Sequence, residues 1–255
     1  LNECLPGANC GGCGFAGCGA YAEAVLNGEA PIGACASGGN ECAAKMSEIM
    51  GVKAEAVARR VALVKCSGQR VYNEVGEQIG GAKVKGIYEG FKDCLAASKV
   101  GGSGPLSCKY GCLGYGTCTK VCKYDAIHVI DGVAKVDVDK CVGCGMCMIV
   151  CPRKVIGMVE YGTDVIIACN SNAKGAVTAR SCTAGCIGCG LCKKICPNEA
   201  ITIEKNLAII DYSKCVSCGL CATVCPKKLI KDSNVENLPD AGTVHSLNNP
   251  DAVVK

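Results

Sequence analysis

The chain has 255 residues, 26 of them cysteine, with no tryptophan, two phenylalanines and eight tyrosines. Large apolar side chains are scarce for that length, so something else must fill much of the interior. Lysine and arginine total 27 against 23 aspartates and glutamates, a formal charge of +4. So small a basic excess, with few aromatics for stacking, argues against nucleic acid as a partner.

The front of the chain, LPGANCGGCGFAGC followed by GEAPIGAC, carries Cys10, Cys13, Cys18 and Cys35. Their C-x2-C-x4-C-x16-C spacing offers four thiolates to one centre. A helix is expected from Ala16 to the stop at Asn27-Gly28, and a second from Glu41 to Met50, within a four-Cys domain over 1–57. Residues 58–107 read as a connecting strand, ARRVALVKC, and a long Gly-rich segment.

Residues 108–158 and 182–231 form a repeat offset by 74 residues, joined by a connector over 159–181. Cys141, Cys144, Cys147 and Cys151-Pro152 match Cys215, Cys218, Cys221 and Cys225-Pro226. Each is the C-x2-C-x2-C-x3-C-P run of a bacterial ferredoxin, where three close thiolates hold one [4Fe–4S] cluster and the fourth reaches a second. Cys112, Cys118 and Cys122 likewise match Cys186, Cys192 and Cys196, and Cys108 matches Cys182. Between the cassettes, 126–141 and 200–215 alternate apolar and polar residues about a tight turn, so each reads as a β-hairpin. One-turn helices are expected after Cys144 and Cys218. The fold class is therefore α+β, a small four-Cys cluster domain followed by two tandem ferredoxin-like units. The tail from Asp232 lacks periodicity and is expected to be mobile or ordered on contact.

The ferredoxin rule pairs Cys186, Cys189 and Cys192 with Cys225, and Cys215, Cys218 and Cys221 with Cys196. In the first unit Cys141, Cys144 and Cys147 pair with Cys122. Where the second unit has Cys189, the first has Tyr115. Cys108 lies just upstream, so Cys108, Cys112, Cys118 and Cys151 are the expected fourth set. With the front domain, these make five [4Fe–4S] clusters. Cys66, Cys94, Cys169 and Cys182 are left for a sixth where the halves meet, against the alternative of four buried thiols acting as small hydrophobes. Cys4 and Cys42 read as structural.

Other signals carry less. Gly12-x-Gly14-x-x-Gly17 spells a dinucleotide fingerprint, but it is threaded with Cys13 and Cys18 and follows no buried strand. GGSG at 101–104 lacks the lysine of a phosphate loop. His128 and His245 stand alone. No catalytic residue, nucleotide site or flavin site is expected. A secreted disulfide framework or zinc scaffold does not account for the third cysteine and the Cys-Pro of each cassette. No apolar run crosses a bilayer, and no secretory signal is visible. The first unit carries seven lysines and arginines against four acids and the second seven against three, whereas the front domain and tail are acidic. Lys193, Lys194, Lys227 and Lys228 form the expected docking face for an acidic ferredoxin.

LPGANCGGCGFAGC, GEAPIGAC, CLGYGTC and the two cassettes together resemble the B subunit of the Rnf complex, a membrane-bound ion-translocating ferredoxin:NAD oxidoreductase. The extra cysteines resemble its long, cluster-rich form in anaerobes. That resemblance, which covers about residues 1–230, implies reduced ferredoxin as electron donor and the other subunits of a membrane complex as partners. It places NAD and flavins on those other subunits and Na+ or H+ transport in the whole assembly. It also implies an N-terminal membrane helix, and a chain opening at Leu1 is expected to begin just after it, on the cytoplasmic side of the cell membrane. A relay subunit of a soluble carbon monoxide dehydrogenase or hydrogenase complex, and a zinc-loaded module, stand as alternatives.

Overall fold

The computed structural model describes residues 1–53 and 57–231. The expected tail, with His245, lies outside the described residues. In the front region α1 (Cys18–Leu26) and α2 (Gly39–Met50) pack about Tyr21 and Met46, which are 1% and 0% exposed. Asn9 caps the start of α1 by accepting the Cys18 backbone N–H at 2.8 Å. A Cβ on Gly17 would stand 2.8 Å from that side-chain oxygen, so only glycine allows so close an approach. The Tyr21 hydroxyl donates to the Pro31 carbonyl at 2.7 Å and accepts from the Ala34 N–H at 3.2 Å. Those two bonds fix the loop that presents Cys35.

The region 58–107 has more structure than a connector. It holds β1 (Arg60–Val64), a hairpin of β2 (Val71–Tyr72) and β3 (Gln78–Gly80), and a helix α3 (Cys94–Lys99). Asp93 caps α3, its carboxylate accepting from Leu95 and Ala96 N–H. Short, Gly-interrupted pieces of this kind leave no period in the sequence to read.

The first ferredoxin unit runs through α4 (Thr117–Lys120), β4 (Ile127–Ile130), β5 (Val133–Val136) and α5 (Met146–Val150) to β6 (Ile156–Glu160). The second is preceded by β7 (Ile166–Ile167) and α6 (Gly175–Ser181). It then repeats the order with α7 (Leu191–Ile195), β8 (Ile201–Glu204), β9 (Leu207–Ile210), α8 (Leu220–Thr223) and β10 (Ile230–Lys231). The hairpins β4–β5 and β8–β9 and the one-turn helices stand where the alternation and cassettes put them.

Each one-turn helix follows a glycine of positive φ between two cassette cysteines: Gly116 (74°), Gly145 (75°), Gly190 (76°) and Gly219 (73°). A Cβ there would resist the left-handed turn that folds the loop over its sulfurs. Strands flanking each unit close it: β1 pairs antiparallel with β6, Val61 opposite Val159, and β7 with β10, Ile167 opposite Ile230. Small and β-branched residues with cysteines, and in the second core Leu207 and Leu229, make up both cores in place of the scarce aromatics.

Candidate iron-sulfur sites

In the second unit the two crossed sets come together as the ferredoxin rule requires. Cys186, Cys189, Cys192 and Cys225 line one apolar pocket with Ile167, Ile203 and Leu229. Cys196, Cys215, Cys218 and Cys221 line another with Val165, Ile201 and Ile210. The Ala200 N–H donates to Cys196 Sγ at 3.3 Å. Helices α7 and α8 pack together, which brings Cys192 of one set beside Cys221 of the other.

In the first unit Cys122, Cys141 and Cys144 surround Cys147; burial first, and then their charges, push its thiol up to about 12. Backbone N–H groups of Ala126 and Ala62 point at Cys122 and Cys141 Sγ, each at 3.4 Å. The other set departs from the expectation. Cys94, not Cys108, stands with Cys112, Cys118 and Cys151. Burial pushes the Cys118 thiol up to about 12, with the charges of Cys112, Cys94, Cys147 and Cys151 adding to it. Burial also raises Cys112, which feels Cys94 and Cys151. Cys94 heads α3, and its N–H donates to Thr117 Oγ1 at 2.7 Å, one residue from Cys118. Tyr115 packs its ring on Tyr88, with centroids 5.3 Å apart. Cys108 instead faces Cys66 beside Gly111, and its charge reaches Cys169 and Cys182. Relative to the sequence reading, the two cysteines have exchanged sets.

Cys10, Cys13, Cys18 and Cys35 line one pocket in the front region. The Gly38 N–H donates to Cys35 Sγ at 3.3 Å. Burial pushes the Cys10 thiol up, but hydrogen bonds from Ser37 and from backbone N–H groups outweigh it, and the net shift is down. Cys42 lies behind Cys35 with its thiol 3.7 Å from Met46 Sδ, in the apolar core of this region. Two glycines of the dinucleotide-like motif, Gly12 and Gly17, serve packing, while Gly14 has open space beside it and a φ of 90°; a Cβ on Gly12 would lie 2.7 Å from the Cys144 carbonyl. That contact seats the front region on the first ferredoxin unit.

These surroundings fit iron–sulfur clusters. Buried thiolates repel one another and are poorly solvated, so they can be charged together only around cations. Ringing an apolar volume suits a four-iron cube, whereas zinc draws four sulfurs to about 2.3 Å. Among the described residues no three Cys, His, Asp or Glu side chains converge on a single ion.

Comparison with known proteins agrees. A putative Fe-S cluster family matches residues 5–37, a 4Fe-4S binding domain 134–157 and a 4Fe-4S dicluster domain 185–229. The B subunit of the proton-translocating ferredoxin:NAD+ oxidoreductase complex of Clostridium ljungdahlii is 43% identical, over 84% of this chain and 72% of its own length. The chain belongs to the B-subunit family of ion-translocating ferredoxin:NAD+ oxidoreductase complexes, the Rnf family. The Na+-translocating counterpart from Acetobacterium woodii is 46% identical over 84% of this chain, which spans 62% of that relative's length. The B subunit of an ion-translocating oxidoreductase complex from Methanosarcina acetivorans is 37% identical over 82% of this chain and 76% of its own length. Among the described residues no helix is long and apolar enough to cross a membrane.

One element of this Rnf chain was not legible in the sequence. Tyr124, two residues after Cys122, donates to Ser37 Oγ at 2.8 Å, and Ser37 Oγ lies 3.4 Å from Cys10 Sγ. Hydrogen bonds to cluster sulfurs raise the potential by favouring the more negative, reduced state. Ser37→Ala is expected to lower the potential of the front cluster by roughly 40 mV, for about 1 kcal/mol of differential stabilisation. Tyr124→Phe should act in the same direction by a smaller amount. An EPR-monitored redox titration reads both, and an unchanged front signal would refute the assignment.

Proposed function

We propose that this chain is the electron-relay subunit of a membrane-bound ion-translocating ferredoxin:NAD+ oxidoreductase. It takes electrons from reduced ferredoxin and delivers them to the other subunits, with Na+ or H+ export a property of the assembly. It works on the cytoplasmic face of the cell membrane. The ligand sets are Cys10, Cys13, Cys18 and Cys35; Cys122, Cys141, Cys144 and Cys147; Cys94, Cys112, Cys118 and Cys151; Cys186, Cys189, Cys192 and Cys225; and Cys196, Cys215, Cys218 and Cys221. When bound, [4Fe–4S] clusters supply reversible one-electron storage at low potential. Residues 1–57, 108–158 and 182–231 are the cluster-bearing parts, with α3 lending Cys94 to the second of them.

The observation that carries this reading is the adjacency of successive sets. Cys144 of one bears on Cys10 of the front, Cys147 on Cys118, and Cys192 on Cys221. The chain's own residues hold these sulfurs in place, bury them in apolar walls and direct N–H groups at them. For entry of electrons, Cys189 is the exposed cysteine of the 26, and Lys193, Lys194 and Lys228 are exposed nearby on the same unit.

Reconstituted without oxygen, the full chain is expected to show broad visible absorption that reduced ferredoxin bleaches. Lys193→Glu with Lys194→Glu should slow that bleaching by roughly tenfold at low salt and little at high salt. A colourless chain, or one that ferredoxin does not reduce, would overturn the proposal.

A further inference from the structure

We propose that Cys66, Cys108, Cys169 and Cys182 hold a sixth [4Fe–4S] cluster between the two ferredoxin units. The inference extends the relay reading and uses it only for the type of cluster. Each unit supplies two of the four thiols from corresponding places. Cys66 follows β1, the strand that closes the first unit, and Cys169 follows β7, the strand that closes the second. The chain runs alike at both points. Lys65 N–H donates to the Val155 carbonyl at 2.8 Å, and Ala168 N–H to the Leu229 carbonyl at 3.1 Å. In the next residue, Cys66 and Cys169 N–H each donate to the carbonyl two residues back at 2.9 Å.

The hydrogen bonds to sulfur repeat as well. Cys66 Sγ accepts from Gly68 N–H at 3.4 Å and from Cys112 N–H at 3.5 Å. Cys169 Sγ accepts from Ser171 N–H at 3.5 Å and from Cys186 N–H at 3.3 Å. Cys112 and Cys186 occupy matching positions in the two units. Two backbone donors aimed at one buried sulfur suit a thiolate that carries charge; a thiol packed as a small hydrophobe has no need of them.

Cys108 and Cys182 complete the group, each four residues before those same cysteines. A Cβ on Gly111 would lie 3.4 Å from Cys108 Sγ and 3.6 Å from Cys66 Sγ, so both sulfurs face one side of that glycine. Cys182 feels the charges of Cys108 and Cys169. Beside them sits the half-buried Arg153 guanidinium, which feels Cys108, Cys151, Cys94 and Cys112. Its Nε has no hydrogen-bond partner among the described residues. A half-buried cation near thiols of two sets is stabilised when those thiols are ionised around iron. All four cysteines are unbridged.

The location gives the site a role. Cys66 adjoins Cys112 of the first unit and Cys169 adjoins Cys186 of the second, through the hydrogen bonds above. Through these four sulfurs the two halves of the relay meet. With the site filled, the six sets form one unbroken series from Cys10 to Cys221.

The test is iron and acid-labile sulfide analysis of the full chain, reconstituted without oxygen. The intact chain is expected to hold about twenty-four irons, and Cys169→Ala and Cys108→Ala each about twenty, at four irons per cluster. Cys42→Ala should keep them all. Far-UV circular dichroism and the retained clusters show whether each variant has folded. About twenty irons in the intact chain, unchanged in folded Cys169→Ala, would overturn the sixth site and leave the relay reading standing. A chain without iron would overturn both.

Discussion

Cys94→Ala is expected to cost the first ferredoxin unit about four irons, and adding Tyr115→Cys to restore them. The backbone supports this rescue. Gly114 and Gly116 have φ of 78° and 74°, and their repeat partners Gly188 and Gly190 have 67° and 76°. A Cβ on Gly114 would meet the Gly132 carbonyl at 2.3 Å, and one on Gly188 the Asn206 carbonyl at 2.8 Å, so each loop leans on the hairpin turn of its own unit in the same way. A thiol at 115 would therefore project as Cys189 does in the second unit. Tyr115→Cys alone should leave the iron content unchanged. Iron analysis on folded protein decides the matter. If the single Cys94→Ala variant kept full iron, Cys94 would not be a ligand.

Gly81→Ala should destabilise the chain far more than Gly76→Ala, although the two glycines have nearly the same φ, 83° and 80°. At Gly76 a Cβ meets nothing within 4 Å, so only the left-handed backbone is penalised, by about 1–2 kcal/mol. At Gly81 the Cβ would fall 1.7 Å from the Gln69 carbonyl oxygen, and the backbone itself must move. Displacement of that kind adds roughly 1–3 kcal/mol more. The damage should reach the bridging group, because Ala82 pairs with Cys182 and its N–H donates to the Gly68 carbonyl at 3.1 Å, next to Cys66. The unfolding midpoints of the two variants, measured under one set of conditions, give the comparison. Equal midpoints would mean that the close approach of residues 69 and 81 is not maintained in solution.

The cassettes, the hairpins and the helix bounds near the front were legible because each depends on residues close in sequence. A C-x2-C-x2-C run with a glycine before its third cysteine dictates its own loop, and an alternating stretch around Asp131-Gly132 dictates its own turn. The exchange of Cys94 and Cys108 was not legible. Its signal was present, since Cys108 matches Cys182 at the full offset of the repeat. Proximity to Cys112 in sequence pointed the other way. What decides the matter is the added length between Cys66 and Cys108, compared with Cys169 to Cys182. That length holds α3, whose Cys94 reaches the place that Tyr115 leaves without a thiol.

Cluster chemistry and family were thus set by short-range spacing, which any folded form must respect. Which thiols gather into which set was decided by tertiary structure, because each set draws on segments that only the paired strands and the packed glycines bring together. The Tyr124–Ser37–Cys10 contact and the seating of Gly12 on Cys144 belong to that second class. Tyr124 and Ser37 stand 87 positions apart and Ser37 and Cys10 stand 27 apart, while Gly12 and Cys144 lie farther apart still, and no local pattern encodes such a meeting.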